Sequence, residues 1–251
     1  MDQGTFPSIW KTCSVTPILK SGDPALVSNY RPISILPHLA KIFECIIYNC
    51  IKRPLNHILI PQQHGFRPGK STVTSGVYFS TFINDSFEMG QQVDVIFTDF
   101  SKAFDSVDHG LLINELESLG IGNPLLSWLR SYLSDRKQFV KIHNVCSDPI
   151  IVSSGVPQGG HLSPLLFNLF INSISNYVSN VKVLLYADDI KFFHRIKVSE
   201  DFCLLQDELN KFTDWASHLG LSLNLSKCHV ITFSRSRTPI LHNYSFNGTI
   251  S

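Results

Sequence analysis

The 251-residue sequence has no uninterrupted apolar run of membrane-spanning length, which is about 18–20 residues. It shows no secretory leader, no low-complexity tract and no internal repeat. Its six cysteines, Cys13, Cys45, Cys50, Cys146, Cys203 and Cys228, include no CxxC pair. These absences argue against a membrane protein and against a secreted disulfide scaffold. They point to an intracellular protein whose thiols are reduced and mostly buried. The formal net charge is only +1, so bulk charge announces no polyanionic partner. What is present is an apolar fraction of 43%, enough for a sizeable core. The length suits one large domain or two small ones.

Charge is unevenly placed. Residues 1–80 carry eight basic side chains (Lys11, Lys20, Arg31, Lys41, Lys52, Arg53, Arg67, Lys70) against three acidic ones (Asp2, Asp23, Glu44), a local balance of +5 that leaves −4 for the rest. A basic front beside a carboxylate-rich middle suits an anionic ligand that also meets metal ions. The alternative is chance scatter of charge.

Periodicity gives the elements. SVTPILKSGDPALVSNYRPIS reads as a hairpin, with a strand near 14–19, a turn at Ser-Gly-Asp-Pro and a second extended piece ending at Pro32. LAKIFECIIYNCIKRPL (39–55) has apolar residues at helical spacing and stops at Pro54. HGFRPGKST (64–72) reads as a loop. From residue 93 the expected series is a strand at 93–100 and a helix at 107–120, the latter ended by Gly120. A short helix from Trp128 to Leu133 and a strand at 138–142 follow. A helix at 163–174 starts on Ser163 and Pro164. Two β-runs, 181–187 and 190–196, precede an amphipathic helix at 200–220 and a strand at 227–234. NYSFNGTIS hints at one more hairpin. With 128–142 set aside, the order from residue 93 is strand, helix, helix, strand, strand, helix, strand. That is the ferredoxin-like split βαβ pattern with one extra helix. Its first strand should lie antiparallel beside its third.

The stretch YADDIKFF (186–193) places Asp188 and Asp189 side by side. Alone, the pair could be a surface turn between strands. In the expected topology, however, the C-terminal end of the first strand, carrying Asp99, meets the turn carrying Asp188 and Asp189. Like charges so close need an offsetting cation. Mg²⁺ is the natural candidate, because it takes a few carboxylates together with phosphate and water oxygens. Two such ions are the equipment of nucleotidyl transfer.

FTDFSKAFDSVDH (97–109), GVPQGGHLSPLLFNLFIN (155–172) and YADDIKFF resemble the reverse transcriptases of non-LTR (LINE-type) retrotransposons. NYRPISILPHLAKIFE (29–44), QHGFRPGKST (63–72) and GLSLNLSKCHVITFSR (220–235) fit the same family, in the family's order. The resemblance covers nearly the whole chain. It implies an α+β, α/β-like protein built as the fingers and palm of a right-hand polymerase. The palm would be a ferredoxin-like split βαβ antiparallel sheet with packed helices, and the helical thumb would be absent. Fingers would occupy 1–92 and palm 93–251, with a finger insertion near 121–153 and truncation at the primer-grip hairpin.

The resemblance also assigns residues. Asp99 and Asp188 match the metal-binding carboxylates, Asp189 their neighbour, and Phe100 a backbone-carbonyl ligand, for two Mg²⁺ ions or Mn²⁺. Phe104 matches the side chain under the nucleotide sugar, which would favour dNTPs over NTPs. Gln158 and Gly159 in GVPQGG match the loop lining nucleotide and template. Lys20 and Arg31 match triphosphate-gripping residues. Arg67 and Lys70 match a loop near template or nucleotide, and Tyr186 the primer end. Lys227 matches a lysine proposed to protonate departing pyrophosphate. Where this chain has Gly160–His161 the family more often has a Ser-Val-like pair, and His161 receives no role. Asp105 and Asp108 read as turn and helix-start residues. Arg130, Arg136, Lys137 and Lys141 fit either phosphate contacts or a solvated face. The implied function is RNA-directed DNA polymerase, with an RNA template, a DNA primer and dNTPs as partners. Further modules of a longer element protein would lie elsewhere, and host nucleus and cytoplasm are not distinguished. The alternatives are an inactive relic retaining at most RNA binding, and a group II intron-type reverse transcriptase or maturase.

Overall fold

The computed structural model describes residues 4–246 and the backbone of 249–250. In chain order the elements are β1 (Thr12–Leu19), β2 (Tyr30–Ile35), α1 (His38–Ile58), α2 (Thr72–Glu88), β3 (Gln92–Thr98), α3 (His109–Ser118), α4 (Leu125–Leu133), β4 (Arg136–Ile142), β5 (Val145–Cys146), β6 (Ile150–Val152), α5 (Ser163–Phe170), β7 (Lys182–Tyr186), β8 (Asp189–Ile196), α6 (Ser199–His218), β9 (His229–Phe233), β10 (Ser245–Phe246) and β11 (Thr249–Ile250). They form two compact units, Met1–Ile58 with Phe104–Phe170, and Leu59–Ala103 with Ile171–Ser251. These units divide the chain at three points, none of them at residue 92.

The first unit is organised on a five-stranded sheet. β1 pairs antiparallel with β2, from Ser14↔Ile35 to Leu19↔Tyr30, so the hairpin expected from the turn residues forms and runs on past Pro32. β1 also pairs in parallel with β4, and β4 pairs with β5 and β6. Phe6, Phe43, Trp128 and Tyr132 pack ring against ring beside this sheet, with centroids 5.1–5.8 Å apart. α1 does not stop at Pro54, which lies inside the helix. Proline there removes one backbone bond and costs about 3 kcal/mol in isolation. The buried stripe Ile47, Ile51 and Leu55 carries the helix through it.

The second unit holds the sheet that positions the site. Its strand order is β7-β8-β3-β9, all antiparallel, as the split βαβ reading requires. β3 is central and buried on both faces. On one face Val93 and Val95 meet Ile83, Phe79 and Phe82 of α2. On the other, Phe192 packs on Phe212 of α6, ring centroids 4.7 Å apart. α2 was not apparent from periodicity. It starts at a reciprocal cap in which the Ser71 hydroxyl accepts from the Thr74 amide, while the Ser71 amide donates to the Thr74 hydroxyl. The C-terminal hairpin forms as β10 paired with β11, its turn lying outside the described residues.

Two further expectations need correction. α5 ends at Phe170 and gives way to a 3-10 turn at Asn172–Asn176, rather than running to 174. Only Cys13 and Cys228 are buried; Cys50, Cys146 and Cys203 are exposed, although all six are free thiols. No helix among the described residues is long and apolar enough to cross a membrane.

Candidate active site

β3 ends at Thr98, which pairs with Ile190 of β8. Extending this register by one residue sets Asp99 opposite Asp189. Antiparallel partners have Cα atoms about 4.5–5.5 Å apart. β7 and β8 are joined by a two-residue turn, Ala187–Asp188, closed by the pair Tyr186↔Asp189. Asp99, Asp188 and Asp189 therefore meet at one edge of the sheet, for the topological reason the sequence gives.

Beyond β3 the chain makes an isolated antiparallel bridge, Phe100↔Leu223. The Asn224 amide donates to the Asp99 carbonyl (2.8 Å) and the Ser101 amide to the Ser222 carbonyl (2.8 Å). In such a non-hydrogen-bonded pair the backbone groups of Phe100 itself point away from Leu223. The Phe100 carbonyl thus faces the β8 side of β3, where the Asp turn lies. The same loop brings Lys227 round: its Nζ lies 3.3 Å from Asp99 Oδ2.

The turn is held from outside. Ala187 has φ +56°, a left-handed conformation that costs a non-glycine residue about 1–3 kcal/mol. Gln63, 1% exposed, accepts through Oε1 from the amides of Ala187 (2.9 Å) and Gly65 (2.7 Å) and donates through Nε2 to the Ala187 carbonyl (3.3 Å). The His64 amide donates to the Leu185 carbonyl, and the Leu185 amide to the Gln62 carbonyl. A Cβ on Gly65 would come within 2.3 Å of the Ala187 nitrogen, so glycine is required there.

Charge is concentrated without full compensation. Burial pushes the Asp188 carboxyl up from its ordinary range. The charges of Asp189 and Asp99 add to this, while a backbone hydrogen bond and Lys227 oppose it. Asp189 is pushed up by partial burial and by Asp99, against Lys191 and Lys227. Asp99 Oδ2 is buried and accepts no hydrogen bond; the Lys227 contact is an ion pair without hydrogen-bond alignment. Among the described residues, no three acidic, histidine or cysteine side chains stand together as a metal cage.

Two of the remaining sequence-predicted residues of this unit, Arg67 and Lys70, serve the loop before α2. The Arg67 guanidinium donates to the carbonyls of Ile60 and Gln63. Lys70 donates to the Pro61 carbonyl (3.2 Å). Tyr186 is half-buried at the end of β7. In the first unit, Lys20 and Arg31 are exposed on the β1–β2 hairpin. Phe104 stacks on Phe167, centroids 4.4 Å apart. Gln158 Nε2 donates to Asp105 Oδ1 (2.8 Å), and the Gln158 backbone carbonyl accepts from the Ser34 amide (2.8 Å). Gly159 has φ +117°, with the Ser34 carbonyl 3.0 Å from where a Cβ would sit. Asp108 caps α3 through the Leu111 amide, as a helix-start residue should. Arg136 is not a phosphate contact: it is 2% exposed and lies over the Tyr132 ring.

The profile of the family described as "Reverse transcriptase (RNA-dependent DNA polymerase)" matches residues 18–246. This chain belongs to the reverse transcriptase family. It is 30% identical over 261 residues to the RNA-directed DNA polymerase from mobile element jockey of Drosophila melanogaster, covering 100% of this chain and 28% of that protein. It is 33% identical over 257 residues to the transposon BS polymerase of the same organism, covering 98% and 28%. The chain thus spans a little over a quarter of the length of these relatives, which are proteins of non-LTR, LINE-type elements. Among solved structures it resembles apo telomerase from Candida tropicalis truncated from the C-terminal domain, with TM-score 0.68, 14% identity and coverage of 96% of this chain and 53% of that one. That likeness supports the fingers-and-palm fold of a reverse transcriptase.

Reverse transcriptases generally use divalent metal ions. The residues here fit that use. Mg²⁺ is typically held by one or two carboxylates plus substrate phosphates, not by a complete protein cage. A buried carboxylate oxygen without a hydrogen bond, a second carboxylate pushed toward protonation and an inward backbone carbonyl are the matching donors. Sequence reasoning missed Gln63 and Glu44. Glu44, fully buried, accepts from the Tyr132 hydroxyl and the His161 amide, both at 2.8 Å, and so secures the GVPQGG loop. A charged residue on the buried stripe of α1 was the available signal.

Proposed function

We propose that this chain carries the polymerase chemistry of a non-LTR retrotransposon protein and adds deoxynucleotides to a primer along an RNA template. The primer 3′-hydroxyl gives up its proton to solvent and attacks the α-phosphate of the dNTP, so that the new phosphodiester bond forms as the α–β phosphoanhydride bond breaks and pyrophosphate leaves. Asp99 and Asp188, with the Phe100 carbonyl, would hold the divalent ions, Mg²⁺ or Mn²⁺. When bound, such ions lower the pKa of the attacking hydroxyl and offset charge on the leaving group.

The protein's own residues supply the rest. Asp189 adds negative potential beside Asp188. Lys227 Nζ, held next to Asp99, carries the proton that pyrophosphate takes up as it leaves. Arg31 and Lys20 neutralise the triphosphate, and the Phe104 ring excludes a 2′-hydroxyl; these assignments rest on the family's pattern. Gln158, oriented by Asp105, presents its loop to nucleotide and template, with Gly159 allowing close approach. Arg67 and Lys70 stiffen the loop beside the template, and Tyr186 lies by the primer end. An intracellular setting agrees with six free thiols.

The observation that carries this reading is the buried Asp99 oxygen without a hydrogen bond, at a sheet edge shared with Asp188 and Asp189. The test is primer extension on an RNA template with Mg²⁺, using this chain and a version joined to the following segment of the jockey polymerase. Extension that disappears with Asp99→Ala is expected. Extension that survives Asp99→Ala would overturn the mechanism. RNA binding without extension in both versions would favour the relic.

A further inference from the structure

We propose that Gln63 is a positioning residue for the catalytic turn, and that residues 62–65 form a seat for Asp188 rather than a nucleic-acid contact. This rests on the polymerase reading. The turn has two reasons to relax. Ala187 occupies a left-handed conformation that its side chain disfavours, and the following two carboxylates repel each other. A hairpin with only its own ladder bonds has nothing beyond Tyr186↔Asp189 to resist this.

The segment 62–65 supplies that resistance from outside the hairpin. One buried amide takes both backbone groups of Ala187: Oε1 accepts its N–H and Nε2 donates to its carbonyl. The second acceptor position of Oε1 is used by the Gly65 amide, which fixes the Gln63 side chain to its own backbone. On the strand side, Gln62 and His64 hold both backbone groups of Leu185, so both flanks of Tyr186 are fixed by one four-residue piece. Gly65 completes the fit, since any larger residue would collide with the Ala187 nitrogen. An arrangement that only filled space would not spend both ends of a buried amide on a single turn residue. Groups that orient a metal-bearing side chain in this way typically set metal affinity or activity by about 10–100-fold.

The experiment uses the full chain. Amide hydrogen exchange, read by NMR, should show the wild-type Ala187 amide protected like those of β3; an Ala187 amide exchanging like an exposed loop would overturn the proposal without any variant. Gln63→Met should free that amide while β3 and β8 stay protected, and should weaken Mn²⁺ binding, followed by electron paramagnetic resonance, by about 10-fold or more. Met89→Gln, altering an exposed side chain at the end of α2, should leave both unchanged. In an active version, Gln63→Met should lower kcat with little change in KM for dNTP. If Asp188→Asn abolishes Mn²⁺ binding but Gln63→Met leaves it intact, the seat has no positioning role and only this inference fails. If Asp188→Asn also leaves Mn²⁺ binding intact, the polymerase reading fails and takes the inference with it.

Discussion

Lys227 Nζ lies 3.3 Å from Asp99 Oδ2, a cation beside a buried oxygen that has no hydrogen bond. A lysine so placed offsets the carboxylate while no metal is bound, and competes with a metal for it. Lys227→Met should therefore tighten Mn²⁺ binding while slowing primer extension. Calorimetry showing weaker Mn²⁺ binding in Lys227→Met would mean the lysine supports the ion site instead of opposing it.

Phe104 is braced by Phe167, so its ring is not free to swing aside. Phe104→Ala should raise NTP use relative to dNTP use in single-nucleotide extension. An unchanged dNTP/NTP ratio would show that Phe104 does not read the nucleotide sugar.

Asp94 is fully buried and accepts from Gln92, Thr232 and Tyr244, the last at 2.8 Å. Burial and then the Asp94 charge hold the Tyr244 phenol far above its ordinary range, so it stays a donor. Tyr244→Phe leaves one carboxylate oxygen unsatisfied and should cost about 1–3 kcal/mol. Urea unfolding reads this directly; a loss below a few tenths would show that water replaces the hydroxyl.

His64 is held below its ordinary 6.5, by burial first and then by Lys70 and Arg67. Its proton binds the unfolded chain more tightly than the folded one. Its contribution is complete above about pH 6.5 and falls as pH drops toward the folded value. The fall in urea midpoint between pH 7.5 and 5.5 should be smaller in His64→Gln. An equal fall in both would assign the acid sensitivity to other groups, such as His194, which burial also holds low.

The sheet and the meeting of Asp99, Asp188 and Asp189 at its edge were legible because strands of alternating or continuous apolar residues have a fixed order, and that order dictates which ends meet. Asp99 and Asp189 are ninety residues apart in sequence, yet antiparallel pairing of the strands that carry them leaves little freedom. The helix Thr72–Glu88 was not legible. Its β-branched and polar residues disfavour a helix, and it forms because Phe79, Phe82 and Ile83 cover the sheet. The Gln63 contacts were equally hidden, since a glutamine in a loop has no periodicity and its partner is 124 positions away. Pro54 misled for the converse reason: a strong local stop signal lost to burial on either side of it.

The piece 62–65 also has a bearing on association. A bare outer strand invites pairing with another chain, but the outward backbone groups of Leu185 are already taken by Gln62 and His64. Among the described residues, the opposite margin of this sheet is β9. Strand exchange or fibril growth from the sheet should therefore recruit His229–Phe233 first, and a charge or proline placed there should suppress it.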